Sequence, residues 1–413
     1  MAAAAAKPDL MPVPDLVAHA ASHCGRATRP LRIGLVLATL LLGLVGCGGK
    51  DKIDEELLPT PLEELIDPLP VKRLWSAKVG GSGENLDLQL RPSSDGTLVY
   101  AAAHGGQVVA VDAESGARVW QTDLKLPLAA GPGYGDERLA VGSNDGDLAV
   151  LAAEDGTVLW QKNLGAEVLA TPLIVGGLVI VRTVDGRLIA LDVEDSIERW
   201  SLRREVPTLS LRGNSAPAAS ADRVIAGFDD GTVIAVALRT GDVLWDVSFL
   251  PPGGRTVIDR LADIDADIRV VGDDVYVFGY QTQVALLSLT TGQIGWNLDL
   301  SGHQRPGLDW SRIYLTDFEG GIRSVDRTTG ASRWVQQDLR NRGTTGPTAI
   351  GQHVVVGDFE GYLHWIDFET GLIRARARAG DGAITTSPLV LGDVVYAQSE
   401  SGTLYAHRLR ESE

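Results

Sequence analysis

Cysteine is nearly absent from this chain: the two present are Cys24 and Cys47, and none follows residue 47. That excludes a structural disulfide, a cysteine-ligated zinc site and a thiol nucleophile from everything downstream. Positive charge is also short, with 37 Lys and Arg against 54 Asp and Glu and a net charge of −17. A nucleic-acid partner is not expected, because phosphate binding needs clustered cations to displace counterions. The seven histidines show no ligand spacing, and no glycine-rich phosphate loop is present. Aromatics make up only 6%. What the chain has in quantity is glycine, 48 residues of it, with little helical patterning, which favours many short strands joined by tight turns.

The first segment reads as an address. Arg26, Arg29 and Arg32 precede a charge-free apolar run over residues 33–45. That run is too short to cross a bilayer comfortably and suits the core of a signal peptide. It ends in Leu44-Val45-Gly46-Cys47, which resembles the bacterial lipobox, where small residues admit the peptidase and the thiol accepts the acyl chain. Residues 1–46 are therefore expected to be removed, leaving Cys47 as a lipidated N-terminus whose acyl chains suffice for stable anchoring. Gly48 follows where Asp would signal inner-membrane retention, so the resemblance implies the periplasmic face of an outer membrane. Residues 47–70, rich in Pro, Glu, Asp and Leu without a lasting period, read as a tether lightly packed on the body.

Residues 71–413 repeat one phrase: a turn, an alternating strand ending near Ala-x-Asp, a glycine turn, and a tryptophan four residues on. The clearest copy runs from Gly106 through Ala110 and Asp112 to Gly116 and Trp120. Others begin at Gly146, Gly186, Gly231, Thr282, Gly320, Gly361 and Gly402, at spacings of 40, 40, 45, 51, 38, 41 and 41. Periods near forty with β patterning predict propeller blades. Glycine after Asp or Glu at 146, 186, 231 and 361 supplies the positive φ of a tight hairpin. The recurring tryptophans at 120, 160, 200, 245, 296 and 334 are expected to fill the gap between neighbouring blades and to carry no chemistry.

The two ends complement each other. Trp75 lies in a rim strand with no repeat phrase before it, while the phrase at Gly402 has no tryptophan strand after it. Joining them completes an eighth blade and removes two exposed sheet edges. The expected fold is all-β: an eight-bladed propeller of four-stranded blades, closed by the N-terminal strand within the last blade.

The Ala-x-Asp-x-x-Thr-Gly-x-x-x-Trp phrase resembles the tryptophan-docking motif of pyrroloquinoline-quinone-type propellers. Departures are Ser196 for Gly, Ser324 for Ala, and Ala375 where an eighth tryptophan would fall. The alternative function this raises is a periplasmic quinoprotein-like dehydrogenase. The alcohol-oxidising branch uses adjacent cysteines beneath the quinone, which this body lacks. The acidic run Asp263-Ile-Asp265-Ala-Asp267, with Asp274 beyond, echoes a calcium loop, but Ile268 stands where such a loop turns on Gly. No cofactor and no metal are expected, and the reading falls to binding rather than catalysis.

The two overlong repeats place extra residues after Trp200 and after Trp245, in successive connections between blades. Such connections share one face of a propeller, and loops are where function concentrates. The first insertion contains Leu209-Ser-Leu211-Arg212-Gly213, and the second contains Asp263-Ile-Asp265. With the lipobox and the docking phrases, these stretches resemble the BamB family of lipoproteins of the outer-membrane β-barrel assembly machinery, over residues 47 to 410. The resemblance implies a non-enzymatic scaffold supporting the folding and insertion of outer-membrane proteins. It further implies docking of the two insertions onto a POTRA domain of the barrel-inserting subunit, with unfolded precursors as further partners. Carried over residue by residue, Leu209, Leu211 and Arg212 match the family's docking Leu, Leu and Arg, and Asp263 and Asp265 its pair of acids. Asp263 is expected either to orient Arg212 or to meet a basic residue of the partner. Without the family, Leu209 and Leu211 would read equally well as a short strand with one buried face.

Overall fold

Why each strand can bury both faces is visible in the first blade. In the computed structural model, Val99 and Ala101 face one neighbour while Tyr100 and Ala102 face the other, and Val108 to Val111 alternate in the same way. The period of two along a strand thus feeds two separate apolar layers. The structure describes residues 58–81, 88–207, 215–249 and 263–410. Cys47, Leu209, Leu211 and Arg212 lie outside the described residues, as do the signal and lipobox segments.

The described strands form eight antiparallel four-stranded sheets in sequence order, blades 1 to 8. Blades 1 to 7 occupy residues 93–123, 128–163, 173–203, 218–248, 269–299, 307–336 and 348–378. Blade 8 combines Leu389–Leu391, Val394–Ser399 and Thr403–Leu409 with the N-terminal strand Val71–Lys78 as its outermost member. That strand pairs antiparallel with Thr403–Leu409, from Val71 opposite Leu409 to Lys78 opposite Thr403. Across the closing boundary, Gln398 donates from Nε2 to the Ala102 carbonyl at 2.8 Å and Tyr396 Oη to the Ala113 carbonyl at 3.0 Å. The ring closes as the sequence predicts.

The apolar core is divided among the blade boundaries, with a buried cluster at each of the eight. At seven of them the tryptophan of one blade reaches the next. Each indole Nε1 donates to a carbonyl in the neighbouring blade at 2.7–3.1 Å, from Trp75 onto Ala113 round to Trp334 onto Phe368. The ring then lies on the turn glycine of that neighbour. A Cβ on Gly156, which has φ +73°, would sit 2.4 Å from the Trp120 ring, so only glycine fits beneath it. Ser196, the departure from glycine, keeps the same left-handed backbone at φ 58°.

The eighth boundary solves the problem differently. Elsewhere the motif pairs Ala110 with Trp120 across neighbouring strands; in blade 7 the order is inverted, with Trp365 opposite Ala375. Trp365 is fully buried at the boundary with blade 8, so a large ring fills this gap from the inner of the two strands.

Packing of the N-terminal segment begins earlier than a free tether would allow. Thr60 N donates to the Arg340 carbonyl at 3.0 Å, and Leu69 N to the Arg374 carbonyl at 2.8 Å. Arg342 and Arg376 in turn donate to the carbonyls of Thr60 and Glu63, while Leu62 and Leu69 pack on the clusters flanking blade 7. From residue 58 this segment is bonded to blades 6 and 7.

Candidate functional site

Blade-to-blade connections and the turns between the two middle strands of each blade share one face of the ring. The tie is direct: the turn carbonyls of Gly106, Gly146, Gly186, Gly231 and Gly361 accept from the first residue beyond the outermost strand of the same blade. Both long connections, from Arg203 to Ala218 and from Ser248 to Arg269, therefore open on this face and flank blade 4. Their central portions, including Leu209, Leu211 and Arg212, are outside the described residues.

Of the residues singled out from sequence, Asp263 and Asp265 are in place. The backbone of Asp263 forms a two-way bridge with Tyr280, N to O at 3.1 Å and O from N at 2.8 Å, which pins the second connection to blade 5. Gly279 makes this possible: a Cβ there would lie 2.1 Å from the Asp263 carbonyl. Ile264 then inserts, fully buried, into the layer between blades 4 and 5.

Asp263 itself has no exposed surface, whereas Asp265 is half-buried. Around them are the buried Arg182, whose guanidinium lies 4.6 Å from the Phe228 ring centre, and its ion-pair partner Asp229. Burial, then the neighbouring charges of Asp265 and Asp229, push the Asp263 carboxyl well above the usual range, and Arg182 opposes this. Asp263 thus presents no surface of its own to a partner and sits within the base of the loop. A reversed charge at 263 would be buried, so charge reversal there should lower the thermal midpoint.

The third acid of the run, Asp267, faces elsewhere. It accepts from Arg91 at 2.8 Å and from the Ala216 backbone N at 3.1 Å, and Arg305 Nε lies 3.4 Å away. Burial pushes Asp267 up, but Arg91 and Arg305 outweigh it and hold the carboxylate below its ordinary range. The calcium-loop echo is therefore not a single cage: its acids serve two different environments. Arg91, Arg269 and Arg305 were not found from sequence. Their signal is faint, an Arg-Pro pair at 91–92 and again at 305–306 just before an innermost strand. Proline is tolerated there because the innermost strand has an unpaired edge toward the axis.

Beside the loop base the same face exposes aromatic surface. Tyr280 packs against Phe318 at 5.5 Å between ring centres, and His303 lies 6.1 Å from it. Phe318 is 60% exposed and Phe359, one blade on, 42%. A face with rigid aromatic rings beside two long connections has the makings of a protein interface.

Comparison with known proteins follows this geometry. A family described as outer membrane protein assembly factor BamB matches residues 104–336 and 318–410. A protein of that name from Alkalilimnicola ehrlichii is 42% identical over 380 residues, covering 92% of this chain and 98% of its own length. The crystal structure of BamB from Moraxella catarrhalis superposes with a TM-score of 0.74 at 29% identity, covering 82% of this chain and all of that one. A europium-containing methanol dehydrogenase shares the fold, with a TM-score of 0.67 at 14% identity.

Proposed function

Since the chain belongs to the family of the outer membrane protein assembly factor BamB, we propose that it is a non-enzymatic scaffold for outer-membrane protein assembly. In this reading residues 1–46 direct export and Cys47 carries the acyl anchor. Residues 47–70 lead to the propeller of residues 71–413, on the periplasmic side of the outer membrane. The connection face docks onto the POTRA region of the barrel-inserting subunit, beside which precursors fold. The observation that carries the proposal is the adjacency of the two long connections on one face, with the second fixed at its base by the Asp263–Tyr280 bridge.

Leu209, Leu211 and Arg212 are the contact residues of this reading, with Asp265 at the rim and Asp263 beneath. Apolar anchors with an arginine form a plausible hot spot, each worth about 1–3 kcal/mol of binding. Titrating the isolated POTRA domains into the full chain should show Leu211→Ala and Arg212→Ala each weakening the complex by that amount, with unchanged thermal midpoints. Wild-type affinity in both variants would end the assignment of these residues.

A further inference from the structure

The innermost strands of the blades surround an axial cavity of about 520 Å3. Most of its wall is uncharged backbone, proline and small side chains, and the charged lining consists of Arg91, Arg269 and Arg305. These come from the entries to blades 1, 5 and 6, at the end of the channel that opens on the connection face. Against them stands one carboxylate, Asp267, which pairs with Arg91 and Arg305.

The charge balance of this cluster is uneven. Arg91 is committed to Asp267 by a 2.8 Å bond and Arg305 approaches it less closely, at 3.4 Å. Arg269 has no ion-pair partner within 4.0 Å among the described residues. Three guanidiniums and one carboxylate leave two positive charges unmatched on the wall of a partly buried channel. The strain registers on the arginines themselves. Burial, and then repulsion from Arg91, lower Arg269 to about 10. Burial with repulsion from Arg91 and Arg269 holds Arg305 well below its ordinary range. A ligand bringing negative charge would relieve all three.

We propose that this arginine collar is a binding site for a small oxyanion of phosphate or carboxylate chemistry, seated in the axial channel against Arg269, Arg91 and Arg305. The guanidinium fork suits such anions because its donors are planar and fixed. The cavity is of the size that small ligands occupy. The site lies at the base of the two long connections, and its test needs no partner protein.

The test is calorimetric titration of the full chain, in detergent, with inorganic phosphate and with citrate, against sodium chloride of equal ionic strength. Saturable binding of one anion per chain by phosphate or citrate, and not by chloride, is the expected result. Arg269→Gln should weaken it about tenfold or more, while its thermal midpoint in chloride stays at or above the parent's because a repulsive charge is gone. Arg91→Gln frees part of Asp267 and should weaken binding as well, giving a second reading should either variant fold poorly. Heats no different from the chloride control in the parent chain would overturn the proposal. So would unchanged affinity in folded Arg269→Gln and Arg91→Gln.

Discussion

At the scale of single residues, the fold rests on exchanges between a large side chain and a missing one. Each indole needs a glycine, or a Ser196 willing to hold φ 58°, in the next blade. A more consequential residue for solution behaviour is His407, buried in strand Thr403–Leu409 opposite Arg73 of the closing strand. Burial first, and the Arg73 charge second, lower its pKa to about 4. Between that value and about 6.5 the unfolded chain takes up a proton that the folded one refuses. The stabilisation is therefore intact above about pH 6.5 and is lost as the pH falls toward 4, by about 2–4 kcal/mol in total. Urea titrations at neutral pH and near pH 4.5 should show a smaller acid loss in His407→Gln than in the parent chain. Equal losses would mean His407 is not the group that titrates. The tryptophan–glycine exchange was legible in the sequence because it recurs at fixed spacing. The burial of Asp263 was not, since an alternating acidic run reads as solvated until the bridge to Tyr280 turns one carboxyl inward. The inversion of Trp365 and Ala375 was equally hidden: the missing eighth tryptophan shows in the sequence, but its replacement lies across a strand pair.

At the scale of elements, the closing strand Val71–Lys78 stands apart because its partners are more than 300 residues away in sequence. Its existence could be inferred from the two incomplete ends of the repeat array, a topological argument that needs no contact information. Its register is fixed by Trp75, which reaches Ala113 of blade 1 through Nε1 at 3.1 Å and lies over Gly116. Deleting residues 71–80 should lower the unfolding midpoint of the whole chain and promote association, because it bares an edge in blade 8. Trp75→Ala, which keeps the strand, should cost about 3 kcal/mol, the lower end for a tryptophan since this one is half-buried. A deletion that melts with the parent and stays monomeric would contradict the seam. The arginine collar belongs to this scale too. Its members enter from three blades, and no local pattern could gather Arg91 with two arginines that follow it by more than 170 residues.

At the scale of the whole molecule, the propeller distributes its core over eight boundaries, leaving one face free to carry long connections without disturbing the packing below. The address at the N-terminus is proposed to fix where that face works. Cys47→Ala should abolish incorporation of radiolabelled palmitate and leave the protein unprocessed or in the soluble fraction. A palmitate-positive variant that fractionates normally would refute the anchor. Residues 58–70 give this arrangement a mechanical side. Any pull from an anchored N-terminus would arrive first at Leu58, then at Thr60, Glu63 and Leu69, whose bonds to Asn341, Arg340, Arg342, Arg374 and Arg376 lie ahead of Val71 in the chain. The closing strand pairs from its Val71 end, which is where tension would begin to peel it, one rung at a time. In an anchored chain the upstream contacts with blades 6 and 7 would take that load before it reaches the first rung, serving as strain relief, as a clamp on a cable spares the joint behind it.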